Sequence, residues 1–153
     1  MPDSLKTSKQ VSPTVAPKEM KIQEIHRPSS FEGALWTAMG IRDARTIFHS
    51  PPGCYLMQHM NILCNEWNPD FYSTCLSYAN VMQGAEDRLE QVMRKVIAEG
   101  PEAIIVVTSP SIEIIGEDVE GVVAKVGFGK TVIIHPPLGG TLHEGKEKAF
   151  LSL

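Results

Sequence analysis

The chain is 153 residues long, enough for one domain that buries most of the surface its unfolded form would expose. It is 42% apolar and 21% charged with a net charge of −4, and no apolar run approaches the ~20 residues needed to cross a bilayer. Composition therefore excludes a membrane-spanning protein and offers no general attraction to nucleic acid. The opening MPDSLKTSKQ lacks the apolar centre of a secretory signal, so the cytoplasm is the expected location. The cysteines are Cys54, Cys64 and Cys75, with no close-spaced pair among them. That pattern excludes a disulfide framework and a self-contained zinc site. A four-thiolate cluster could form only if another chain or copy supplied donors.

Residues 1–20 carry Pro2, Pro13 and Pro17 among Ser, Thr and Lys, and are expected to form a flexible arm ahead of a domain over 21–153. Phe31–Met39 reads as a short apolar helix with Ser29 or Ser30 as N-cap and Gly40 at its end. Arg45–His49 is a strand that Ser50-Pro51-Pro52-Gly53 interrupts, and a second helix is expected from near Cys54 towards Cys64. Phe71–Ser77 is a further candidate strand. Ala85, Leu89, Val92, Met93, Val96 and Ile97 form an apolar stripe on one helix face, with Glu90 and Arg94 placed to pair on another. Gly100 and Pro101 end that helix.

Ala103–Thr108 is an unbroken, largely β-branched run, as expected of a strand covered on both faces of a parallel sheet. A turn at Ser109-Pro110-Ser111, a helix over Glu113–Val126 and a strand over Lys130–His135 follow. Strands and helices alternating at this spacing predict a Rossmann-like α/β fold, an open parallel sheet flanked by helices. A last helix starts near Glu144 and runs into the apolar Ala149-Phe150-Leu151, so this is expected to be the first domain of a longer subunit.

In such sheets ligands bind at the carboxyl ends of the strands, which selects the loops His49–Cys54, Thr108–Ser111 and His135–Gly140. None is a phosphate cradle: GxxxxGK[ST] and GxGxxG are both absent, so any ATP used belongs to another protein. Within His49-Ser50-Pro51-Pro52-Gly53-Cys54, Gly53 permits a sharp turn or close approach to a bulky ligand. Cys54 falls near a helix N-terminus, where the dipole favours the iron-binding thiolate. The same spacing equally fits a small buried cysteine after a Pro-rich turn. Cys64 and Cys75 are expected to be buried structural thiols. His49 and His135 each end a strand before proline. They are expected to be satisfied by turn backbone groups, with a shared cleft as the alternative. His59, Met57 and Met60 are read as helix packing.

Four segments resemble the start of nitrogenase component 1 subunits and of the related dark-operative protochlorophyllide and chlorophyllide reductases. These are Phe31-Glu32-Gly33-Ala34 with the helix ending at Met39-Gly40-Ile41, the strand and loop Ile47–Cys54, Asn80–Gly84 ahead of the amphipathic helix, and Ile114–Val122. Members with a full ligand set carry cysteines where Ser29 and Pro110 stand here, so only Cys54 fills a ligand position. A single ligand resembles the β-type subunits of the tetrapyrrole reductases. The resemblance implies a [4Fe-4S] cluster shared with a second component 1-type subunit, Cys54 giving one thiolate and Gly53 allowing close approach. It also implies a separate ATP-dependent iron–sulfur reductase as electron donor and a small-molecule substrate. A non-catalytic scaffold or carrier for metallocofactor assembly is the alternative.

Overall fold

The computed structural model describes residues 28–54, 56 and 71–153. The expected arm, Cys64, His59, Met57, Met60 and the body of the helix beyond Cys54 lie outside the described residues. Four strands, β1 (Ala44–His49), β2 (Phe71–Ser73), β3 (Ala103–Thr108) and β4 (Thr131–Ile134), form one sheet in the order β2-β1-β3-β4. Every neighbouring pair is parallel. The six helices with assigned bounds are α1 (Ser30–Met39), α2 (Tyr78–Gln83), α3 (Glu86–Ala98), α4 (Pro110–Ile115), α5 (Val119–Val126) and α6 (Leu142–Ser152).

Side-chain alternation along the strands divides the core in two. Ile47, Ile104 and Val106 face α3 and α5, packing with Leu89, Met93, Val96, Val119 and Val122. Phe48, Ile105, Val107 and Ile134 face the opposite way, onto Phe31, Leu35 and Ala38 of α1 and Ala149 of α6. The Phe31 and Phe48 rings stack with centroids 4.6 Å apart. β3 is central and buried from Ile104 to Thr108, which accounts for its unbroken apolar sequence. The expected Glu90–Arg94 pair forms at 2.8 Å, and Glu90 also reaches Lys125 of α5 at 2.6 Å.

Several boundaries differ from the sequence expectation. The strand expected over Phe71–Ser77 ends at Ser73, and α2, which the apolar pattern did not reveal, begins at the Ser77–Asn80 capping box with no residue buried. Ser109-Pro110-Ser111 is a helix start rather than a free turn, with Ser109 as N-cap and Pro110 in the first helical turn of α4. The single helix expected from Glu113 is two: Gly116 adopts a left-handed conformation (φ 69°) that ends α4, and the Asp118 side chain caps α5. The last helix starts at Leu142, with Thr141 as N-cap and Glu144 as the reciprocal partner in its capping box.

Helices α1 and α6 pack together through glycine. A Cβ on Gly145 would lie 1.7 Å from the Ser30 carbonyl oxygen, and one on Gly33 would lie 2.1 Å from that of Leu142. Both obstacles are backbone, so relief requires the helices to separate. Ser30 adds two bonds to the loop after β4, its N–H to Gly140 O at 2.9 Å and its hydroxyl to Pro137 O at 2.6 Å. Gly145→Ala is therefore expected to destabilise the fold by at least the ~1–3 kcal/mol typical of overpacking. Gly129→Ala, whose Cβ meets nothing within 4 Å, should change little. Urea unfolding of the two variants side by side measures this, and equal midpoints would contradict the tight approach.

Candidate functional site

The loops after β1, β3 and β4 meet at the carboxyl end of the sheet, as expected of open parallel sheets. The register pairs His49 with Thr108, and the next residues, Ser50 and Ser109, continue side by side, with the Ser109 N–H bonded to His49 O at 3.0 Å. Alternation then separates two sets of side chains. His49, Thr108 and His135 fall on the α3–α5 face, while Ser50 and Ser109 fall on the α1–α6 face.

On the first face, each polar side chain meets a carboxylate from the α4–α5 segment. His49 is fully buried, and its Nε2 lies 2.8 Å from Glu117, whose side chain is 2% exposed. A carboxylate only accepts here, so Nε2 carries the proton, and in the neutral ring Nδ1 accepts from the Thr74 hydroxyl 3.1 Å away. Thr74 Oγ1 in turn accepts from the Ser50 N–H at 3.1 Å, which fixes the start of the Cys54 loop. The other Glu117 oxygen accepts from the N–H of Ala85. Ala85 is the N-cap residue of α3 and has no side chain able to cap, so Glu117 takes that task from outside the helix.

His135 is flanked by Glu113 at 2.6 Å on Nδ1 and Glu120 at 3.0 Å on Nε2, an arrangement an imidazolium satisfies by donating on both sides. Thr108 donates to Glu113 and lies 3.1 Å from Ile134 O. The expectation that both histidines are satisfied by turn backbone is corrected: carboxylates far along the chain hold them. The sequence carries no local sign of the roles of Thr74 and Glu113, and although Glu117 lies in the Ile114–Val122 segment its partner is 68 residues away.

On the second face lie Cys54, Ser50, Ser109 and Ser111. Residues 52–54 are helical, so Cys54 sits in a first helical turn as expected. Its side chain is half-buried against the cluster containing Phe48 and Val107. Burial pushes the thiol pKa up, and hydrogen bonds from the Ser111 side chain and the backbone oppose it without prevailing. The expected stabilisation of the thiolate is therefore not met in the metal-free chain, where burial outweighs these two bonds. Gly53 has no left-handed φ, and a Cβ on it would meet nothing within 4 Å. No turn demands glycine there. Ser50 and Ser109 are both fully buried, and neither hydroxyl has a hydrogen-bond partner.

Cys75, expected to be buried, is exposed and follows β2 with a left-handed φ of 45°. Its Sγ lies 3.4 Å from the Ser73 hydroxyl. Among the described residues no group of three or more His, Cys, Asp or Glu could hold a metal ion, and no helix is long and apolar enough to cross a membrane.

Residues 29–153 match the family model of nitrogenase component 1 type oxidoreductases. The vanadium-iron nitrogenase beta chain of Trichormus variabilis (strain ATCC 29413 / PCC 7937) is 30% identical over 102 residues, 61% of this chain and 21% of that one. The iron-iron nitrogenase beta chain of Ruminiclostridium hungatei is 30% identical over 101 residues, 63% of this chain and 30% of that one. The solved structure described as nitrogenase Cp1 at pH 6.5 superposes with a TM-score of 0.67 at 20% identity, over 81% of this chain and 27% of that chain. That likeness is one of fold. The chain spans between 21% and 30% of the length of these relatives.

Two outcomes follow from the geometry. Glu117→Ala strands a buried imidazole N–H and the first N–H of α3, and should cost about 1–3 kcal/mol for each unsatisfied donor in denaturant unfolding; an unchanged midpoint would show the contact to be incidental. In the metal-free chain, Cys54 alkylation followed by peptide mapping should titrate above the ordinary thiol range. With the folded pKa raised, stability is complete below the unfolded pKa and declines as pH rises through the folded one. An alkylation midpoint at or below that of a free peptide thiol would contradict the burial.

Proposed function

The chain belongs to the nitrogenase component 1 type oxidoreductase family, and on that premise we propose that it forms the first domain of a longer subunit that receives electrons for a reduction. Cys54 gives one thiolate to a [4Fe-4S] cluster at the interface with a second component 1-type subunit. A separate ATP-dependent iron–sulfur protein supplies the electrons, and a small molecule bound in the complex is reduced.

The observation that carries this reading is Cys54 itself, half-buried at the carboxyl end of a parallel sheet and hydrogen-bonded to Ser111. The surrounding residues fit one corner of a shared group and no more. Among the described residues Cys54 is the one thiol packed on this face of the sheet, and they contain no set of three ligands. The remaining donors then come from the partner. When bound, the cluster supplies one-electron storage. To hold such a group Cys54 would ligate as the thiolate and release its proton to solvent, so loading would be favoured as pH rises. Ser111 then donates to the thiolate. The packing of Phe31 and Phe48 excludes water from the α1 side of the loop's base. The His49–Thr74–Ser50 bonds hold the backbone from which the loop departs.

Ser29 and Pro110, which stand where members with a full ligand set carry cysteine, also favour a second reading, a scaffold or carrier subunit in metallocofactor assembly. Turnover of substrate by the purified complex with its ATP-dependent reductant separates the two from cofactor transfer alone. For the first reading, the anaerobically purified native complex should give the EPR signal of a reduced [4Fe-4S] cluster, and Cys54→Ala should lose it. Full retention of signal and iron in that variant would remove Cys54 from the ligand set.

A further inference from the structure

The two histidines at the carboxyl end of the sheet are bonded differently. His49 has a carboxylate on one ring nitrogen and a hydroxyl on the other, 2.8 Å from Glu117 and 3.1 Å from Thr74. A hydroxyl can donate as well as accept, so a neutral His49 ring is satisfied on both sides. His135 has carboxylate oxygens on both: Glu113 Oε1 lies 2.6 Å from Nδ1 and Glu120 Oε1 lies 3.0 Å from Nε2. An ionised carboxylate only accepts, so this arrangement needs two ring protons. A neutral ring would face one of the carboxylates with a lone pair, acceptor against acceptor.

The two carboxylates are not equivalent. Glu113, in α4, is 23% exposed, and its Oε1 also accepts from the Thr108 hydroxyl of β3. Glu120, in the first turn of α5, is 66% exposed and makes the longer contact. Water replaces the ring at Glu120 far more readily than at Glu113. A neutral ring therefore keeps its Nδ1 proton and loses the one on Nε2. The ring is itself 32% exposed, so that proton passes to solvent. From β3 the ring meets the uncharged Thr108 hydroxyl at 3.3 Å. Among the described residues, Glu113 and Glu120 are thus the charged groups that face it.

We propose that His135 is a proton-operated tie between the end of β4 and the first turn of α5. With two ring protons it binds α4 through Glu113 and α5 through Glu120. When pH rises and the ring gives up its Nε2 proton, Glu120 turns to water and the tie to α5 opens. Glu113 still holds the ring on α4 through Nδ1. Helix α5 itself persists, because the Asp118 side chain caps it at the Gly121 N–H, 2.9 Å away. The loop after β4 carries the Pro137 and Gly140 carbonyls that hold Ser30 at the start of α1. One proton thus decides whether that loop is fastened to α4 alone or to α4 and α5 together.

The test is NMR of the full chain, isotope-labelled at the histidine rings and the glutamate carboxyl carbons, across the pH range in which it stays folded. Signals missing from His135→Gln and from Glu120→Gln assign the two groups. The Glu120 carboxyl should shift with the same midpoint as the His135 ring, and the neutral ring should carry its proton on Nδ1. Glu120→Gln gives a second readout, since an amide can accept from a protonated Nε2 or donate to a bare one. The contact then survives in both states, and the backbone amides of the first turn of α5 should lose the step they show in the wild type. A Glu120 carboxyl that ignores the titration of the ring would overturn the proposal. So would a neutral ring protonated on Nε2, or a ring that holds one state at every pH tested.

Discussion

A buried imidazole facing a buried carboxylate holds the carboxyl end of this sheet together. His49 and Glu117 are almost wholly withdrawn from water, and each uses its second polar atom on another segment: His49 on Thr74 after β2, Glu117 on the first N–H of α3. Four separate stretches of chain therefore meet at one contact. Breaking such a pair from one side is costly because the survivor is left buried without a partner. The same contact explains why α4 and α5 are two helices: the left-handed Gly116 turns the chain so that Glu117 can point inward, and Asp118 restarts the helix immediately afterwards.

The alternation of side chains along parallel strands gives this edge two unlike faces. Towards α3 and α5, polar groups are matched by Glu113, Glu117 and Glu120, and hydrogen bonding is closed within the chain. Towards α1 and α6, the half-buried Cys54 thiol has Ser111 beside it and, among the described residues, no carboxylate partner. One face is thus committed to holding the loops, and the other carries the half-buried thiol. A single sheet can serve both ends because a one-residue step along a strand changes the face.

Much of this was legible in the sequence. The β3 run could only be a doubly covered strand, and the α3 stripe predicted the buried face residue by residue, apart from Ile97, which is only partly buried. Cys54 was singled out because Pro-Pro-Gly-Cys before a helix is a distinctive local pattern, and it lies where that pattern implied. The failures share a cause. α2 has no buried residue and so no apolar period to detect, and the α4–α5 break is set by backbone conformation at one glycine inside a helical pattern. Cys75 was assigned to the interior from the habit of its residue type, whereas β2 ends two residues earlier and leaves it exposed. The carboxylates on His49 and His135, and the orphan hydroxyls, depend on tertiary placement that no local spacing encodes.

The sheet's margins carry a last consequence. β2 has three residues and β4 has four, and these are the outer strands of the described sheet. An edge so short offers an incoming strand only a few ladder bonds, which is one way proteins avoid unwanted strand addition. Accretion along the sheet is therefore a weak route for this fold to associate. Among the described residues, the helix surfaces and the loops at the strand ends are larger than either sheet edge.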